Sequence, residues 1–388
     1  MQKITLQPRS CECCGGNDLD QVWQSQSNVK RPSDTWIFPF SIAVCRNCGF
    51  CFNSPCPKQD DLIRYYADGI SGYKEIGLPY SIDIRMAVLE RYSSSTGTFA
   101  EVGGDQPGEF HRRCAPLFNK QLSIDISDDI SSELRTVHNI EENTVDVIAH
   151  YDVLEHVAEV KDFLTGCHRA LKPGGVMICE VPDIRLYPRN LLLQEFEHVN
   201  HFSTATLSAI ACQVGLNPIE FSHICSRPFG LLAVFRKEAA SIPDKWSLYE
   251  YIDALACING GKEQIRKCME NISLMRKQLS LAGDAHKKVT IWGVTNFLQS
   301  LLDGYKLPDS IMVVDSDPRR KNHLTREGVS VAQPKDVLGH IRRSELLVIC
   351  APRYKNEILE WIAQHTDKIF NEESLLVLGA GPSGETLR

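Results

Sequence analysis

The chain predicts an α/β fold in which a parallel sheet carries helices on its faces, preceded by a metal-clipped cysteine module and followed by a second, smaller α/β unit. Three observations carry this prediction. Residues 98–237 alternate short β-branched runs with helical stretches, which is the pattern of a parallel sheet. Two C-x-x-C knuckles, Cys11 to Cys14 and Cys45 to Cys48, stand ahead of that region, each trailed by a glycine. From Lys288 onward the β-branched runs resume, at Val289–Trp292, Ile311–Asp315, Leu346–Cys350 and Leu375–Gly379. A chain of 388 residues exceeds what one core usually serves. The expected division is a cysteine module over 1–60, the main α/β core over 61–240, a helical bridge over 241–285 and the rear lobe over 286–388.

The knuckles come first. A 30-residue loop separates the two pairs, and each pair presents two thiolates on one tight turn, which suits tetrahedral zinc. Cys11, Cys14, Cys45 and Cys48 are the expected ligands, with Cys13, Cys51 and Cys56 close enough in sequence to substitute. The opposing reading is two disulfides or ordinary buried thiols. No signal peptide opens the sequence, and the 15 cysteines lack framework spacing, so a reducing, cytoplasmic setting is expected. No run approaches the ~18 apolar residues of a membrane span. A net charge of -7 gives duplex nucleic acid no electrostatic foothold. The expected partner is a small molecule, with neither membrane nor nucleic acid involved.

The prolines of the Asn53–Pro57 stretch then break any regular element and hand over to a helix, Gln59 to Asp68, that carries Tyr65 and Tyr66. Tyr73 and Tyr80 follow, just before the core. The strand over Thr98–Val102 ends in a glycine-bearing turn, Gly103 to Gly108, and a helix begins near Glu109. Such glycines let a ligand approach the backbone. The next strand closes on Asp125, 17 residues after Gly108, near the spacing at which an acidic residue takes both hydroxyls of a ribose. Val145 to His156 reads as a buried strand running into a helix, and Leu171 to Pro182 as a turn and another strand. Glu195-Phe-Glu-His198 to Ser203 then packs two carboxylates and two imidazoles into seven residues. An imidazole beside a carboxylate accepts a proton near neutral pH, which makes His198 the preferred base. The opposing reading is that Glu197 and His198 merely cap the helix starting at Ser203.

Glycine turn, acidic strand end, the Asp-Val-Leu-Glu-His156 segment and the Leu-Lys-Pro-Gly-Gly turn, in this order, resemble the class I S-adenosylmethionine-dependent methyltransferases, with their Rossmann-like core. The resemblance spans about Thr98 to Arg236. It implies that Glu101, Gly103 and Gly108 shape the pocket for S-adenosyl-L-methionine, that Asp125 holds its ribose, and that His150 and Tyr151 line the sulfonium side. The glycine turn departs from the family pattern at Asp105-Gln-Pro107. No metal is needed for methyl transfer, so four thiolates filling a coordination sphere read as structural zinc. The whole arrangement of zinc module, methyltransferase middle and Rossmann-like rear lobe resembles the three-part bacterial sugar C-methyltransferases. That likeness implies a nucleotide-linked keto sugar as acceptor, Glu197 and His198 as the proton-abstracting pair, and His156 as a second active-site histidine. Where the family has a tyrosine, this chain has Glu195. Methylation of oxygen or nitrogen on another small metabolite, and a non-catalytic binding protein with a degenerate site, are the competing expectations.

In the bridge, apolar residues from Leu248 to Leu279 fall at helical spacing, with a break expected near Gly260-Gly261. The rear lobe has only Gly293 where a dinucleotide turn needs three glycines, so Asp315 is not expected to serve a second cofactor.

Overall fold

A computed structural model describes residues 2–30, 35–67, 81–104, 108–127, 132–240, 248–321, 325 and 328–378. Tyr73, Tyr80 and the Asp105-Gln-Pro107 turn lie outside the described residues. The chain forms two compact units, Met1–Lys262 and Glu263–Arg388.

The first unit holds both the cysteine module and the main sheet. In the module, Leu19–Lys30 pairs antiparallel with Thr35–Cys45, which pairs in turn with Cys51–Asn53. The sheet is completed from far along the chain: Asn200–His201 pairs antiparallel with Cys51 and Phe52. One apolar cluster runs without interruption from Cys11, Cys45, Cys48, Phe50 and Phe52 to Phe202, Leu207 and the main sheet. The module is therefore welded onto the core, and the segment that carries His198 is drawn against it.

The main sheet has the strand order Leu216–Ser222, Gly230–Lys237, Leu171–Pro182, Val145–Tyr151, Ser94–Val102, Phe118–Ile124. The last four strands run parallel, and Gly230–Lys237 alone is reversed, pairing antiparallel with Leu171–Pro182 on one side and with Leu216–Ser222 on the other. Buried runs such as Val147, Ile148, Ala149 and Met177, Ile178, Cys179 are what a sheet covered on both faces requires. The helix Val160–Ala170 buries Val160, Leu164, Cys167 and Ala170, a spacing that makes one stripe. The helix Thr204–Gln213 starts from a capping box between Ser203 and Thr206, worth about 1 kcal/mol.

Two expectations about local structure change. Leu171–Pro182 is one extended strand instead of a turn followed by a strand. Its pairing with Val145–Tyr151 slips between Leu171 and Val176, and Gly174 takes φ +77 to absorb the extra residues. The helix Leu248–Asp284 also passes straight through Gly260 and Gly261. A Cβ at Gly260 would lie 2.6 Å from Pro188, and one at Gly261 3.2 Å from Leu193. These glycines let the helix lie close on the 187–193 segment; they do not end it.

The second unit contains a five-stranded parallel sheet ordered Val331–Ala332, Ile311–Val314, Val289–Trp292, Leu346–Ile349, Leu375–Val377. Asp315 spends its carboxylate on backbone, taking the Val294 N–H at 2.7 Å and the Asp317 N–H at 2.8 Å. Among the described residues no helix is long and apolar enough to cross a membrane.

Candidate active site

The four expected ligands of the cysteine module meet. Cys11 and Cys48 sulfurs lie 3.5 Å apart, as do those of Cys14 and Cys45, and all four lie within 4.8 Å of one another. A tetrahedron with Zn–S bonds of ~2.3 Å has edges of about 3.8 Å, so the donor set fits zinc with no open position. Each knuckle closes by a backbone bond, Gly15 N–H to Cys11 at 2.7 Å and Gly49 N–H to Cys45 at 2.9 Å. Gly15 and Gly49 have φ +77 and +72, which a side chain would strain. Among the described residues, Cys13, Cys51 and Cys56 stay outside the tetrad.

At the ends of the parallel strands, Glu101 is buried and its carboxylate meets His111 Nδ1 at 3.1 Å. Gly103 turns there with φ +74, and a Cβ on Gly104 would lie 2.3 Å from the Glu101 carboxyl carbon. Glycines are thus required where backbone and carboxylate crowd together beside the strand ends. Gly108 stands at the N-terminus of the helix Glu109–Cys114. Asp125 follows the neighbouring strand, and its Oδ1 accepts the Ser127 N–H at 2.7 Å, which fixes the carboxylate at the sheet edge. An acid at that strand end beside a glycine turn fits a ribose.

His150 and Tyr151 point to opposite faces of the sheet. His150 is fully buried, packs edge-on to Phe163 at 5.3 Å, and has no partner on either nitrogen. Burial pushes its pKa down to about 3. Tyr151 lies edge-on to Phe110 at 5.5 Å, with the Arg85 guanidinium 4.0 Å from its ring centre. Next to it Asp152, at φ +56, receives Arg227 at 2.7 Å and lies 3.6 Å from Arg85. Glu180 anchors the loop that brings Arg227 in, accepting from Ser226 N, Ser226 Oγ and Arg227 N at 2.9 Å each.

The densest constellation lies where the Leu154–His156 turn, the 195–201 segment and the helix Gln59–Ala67 converge. The rings of His156 and His198 are 4.9 Å apart and steeply tilted. His156 Nδ1 lies 3.1 Å from the Glu197 carbonyl and 2.9 Å from the Tyr66 hydroxyl. Tyr65 donates to the Glu197 carboxylate at 2.5 Å and is itself wedged among Trp36, Phe38 and Tyr66. Glu197 thus orients His156 through its carbonyl and is held by Tyr65; His198 is placed by its own backbone turn, its N–H on Glu195 at 3.0 Å. Burial first, and then His156 and His201, press His198 well below the ordinary imidazole range. His156 is lowered for the same first reason. Burial favours the neutral form of both rings. Asn200 Nδ2 ties this segment to the Leu154 and Val157 carbonyls at 3.0 and 2.7 Å.

Sequence reasoning brought out His156, Glu197 and His198 but gave no role to Tyr65, Tyr66, Arg85, Asp152, Glu155 or Arg227. The adjacent tyrosines on a helix leaving the module were the available signal. The two arginines carried none, since they reach the site from loops and helices separated by 142 positions.

Residues 74–220 match the family model described as a methyltransferase domain. The ubiquinone biosynthesis O-methyltransferase of Cereibacter sphaeroides is 53% identical over 34 residues, which is 9% of this chain and 14% of that one. The chain therefore spans about a seventh of the length of the curated relatives it matches. Among solved structures, Burkholderia thailandensis 1,6-didemethyltoxoflavin-N1-methyltransferase, with its namesake and S-adenosylhomocysteine bound, is 12% identical at TM-score 0.37, covering 55% of this chain and 99% of that one. Haemonchus contortus phosphoethanolamine N-methyltransferase 2, with phosphomonomethylethanolamine and S-adenosylhomocysteine, is 14% identical at TM-score 0.38, covering 49% and 62%. Likenesses of that size assign neither acceptor nor mechanism. The chain carries a methyltransferase domain over residues 74–220.

Proposed function

We propose that the protein is an S-adenosylmethionine-dependent methyltransferase of a small acceptor, with His198 taking the acceptor's proton. The observation that carries this reading is a pair of buried imidazoles 4.9 Å apart, one of them oriented by Glu197, within the unit that bears the methyltransferase domain. When bound, the cofactor supplies a methyl group on a sulfonium that carries its own leaving group. Asp125 would hold its ribose, with Glu101, Gly103 and Gly108 shaping the pocket and Tyr151 on its far side; His150, expected there too, points to the other face of the sheet and packs on Phe163. A tetrahedral zinc on Cys11, Cys14, Cys45 and Cys48 would be structural.

The chain's own task is then to position the acceptor and raise its electron density. Burial keeps His198 unprotonated, with its lone pair available, and the 195–201 segment is pinned through Asn200 and through the pairing of Asn200–His201 with Cys51 and Phe52. We favour carbon methylation alpha to a ketone of a nucleotide-linked sugar: His198 takes the alpha proton, and the enolate carbon becomes the nucleophile. Zinc module, core and a Rossmann-like rear lobe together support that acceptor class. The test is solvent deuterium exchange at the acceptor carbon without cofactor, which an enolate route permits and a hydroxyl route does not. Methylation without such exchange would move the reading to oxygen or nitrogen, and His198→Ala with full turnover would remove the base.

A further inference from the structure

Glu155 is the anomaly of the molecule. It is 1% exposed, and neither carboxylate oxygen has a hydrogen-bond partner. A carboxylate so placed costs several kcal/mol unless something positive sits against it. Its neighbour His156 does not supply it. The Glu197 carbonyl can only accept, so the proton of His156 belongs on Nδ1, and Nε2 carries a bare lone pair. That nitrogen lies 3.8 Å from Glu155 Oε1, too far for a hydrogen bond from a protonated carboxyl and close enough for two electron pairs to repel. The third member, His198, has its Nδ1 buried without a partner. One donor atom from each of Glu155, His156 and His198 lies within 4.8 Å of the others. Three groups with ligand atoms thus face one another, and neither Glu155 oxygen nor His198 Nδ1 has a hydrogen-bond partner.

We propose that Glu155, His156 and His198 bind a divalent transition metal ion, a second site apart from the cysteine tetrad. Two imidazoles and one carboxylate suit zinc, manganese or iron and leave positions open, unlike the closed thiolate site. The support around it is what a metal ligand needs: Tyr66 and the Glu197 carbonyl fix the tautomer and plane of His156 from its far nitrogen. The inference goes beyond the proposed function. An imidazole lone pair on a cation accepts no proton, so His198 is the base in the cation-free protein, while in the loaded protein an open position takes an acceptor oxygen and polarises it.

The experiment uses the full-length protein with its cysteine site filled with zinc. Cobalt(II) is titrated in and followed by calorimetry and absorption, for wild type, Glu155→Gln and His198→Ala. The expected result is one further equivalent, with weak d–d bands and no added thiolate charge transfer, and an affinity at least tenfold lower in both variants. Glu155→Gln keeps the shape of the buried side chain, and its S-adenosylhomocysteine affinity and melting temperature report whether it is folded. A single metal equivalent in wild type, or cobalt bound equally by folded Glu155→Gln, overturns the site. Homologue binding without a second metal overturns this inference alone, whereas a second metal without homologue binding overturns the proposed function alone.

Discussion

The cysteine tetrad and the His156–His198 cluster sit in one compact unit and are built in opposite ways. The tetrad draws all four groups from two knuckles, each closed by its own backbone bond and each positioned by a glycine of positive φ. The histidine cluster draws on three distant segments: a turn after the strand Val145–Tyr151, the 195–201 loop, and a helix leaving the cysteine module. A local site needs only its own turns to be correct. A dispersed one is correct only when the whole unit is, and here the tetrad guarantees one of its three walls through the shared sheet of Cys51–Asn53 and Asn200–His201.

The largest expected effect breaks that dependence. Cys48→Ala should lose the metal and loosen the 195–201 wall, which carries His198 and pairs with Cys51 and Phe52; structural zinc is worth several kcal/mol, so a fall of roughly 10 °C or more in melting temperature is expected by calorimetry. His198→Ala should leave the tetrad and the melting temperature nearly untouched while turnover falls by roughly 10²–10⁴, the range for losing a general base. Asp125→Ala should weaken S-adenosylhomocysteine binding by about 10- to 100-fold, the loss of a charged hydrogen bond, read as a raised Kd.

A smaller effect separates His150 from the cluster. Its folded pKa, near 3, lies below the unfolded ~6.5, so its neutral form contributes stability fully above pH 6.5 that is lost as pH falls toward 3. His150→Leu should remove about 1.4 kcal/mol per pH unit from the acid-side slope of the urea unfolding free energy between those values. The same substitution should leave stability at pH 8 equal or higher, since an imidazole with two unpaired nitrogens is exchanged for an apolar group. The smallest effect belongs to Tyr65→Phe: Glu197 loses its donor, and unfolding should cost about 1–2 kcal/mol less.

The same contrast explains what was legible in the sequence. The tetrad could be read from spacing alone because every ligand lies within a turn of another. The strand ends at Gly103 and Asp125 could be read because glycine and acid are needed at fixed points of a strand–turn–helix path. His156 and His198 were legible as members of dense segments, but their pairing was not, since no local rule brings residue 156 to residue 198. Tyr65 and Tyr66 were visible as a pair on a helix without a destination. Glycine misled at 260 and 261, where close packing on Pro188 and Leu193 replaces the helix break that composition suggests.

Isothermal calorimetry of the intact protein with S-adenosylhomocysteine tests the central claim most directly. The account predicts one site per chain in the micromolar range, weakened by Asp125→Ala and retained by His198→Ala. No heat from folded wild-type protein, or heat unchanged by Asp125→Ala, would contradict it.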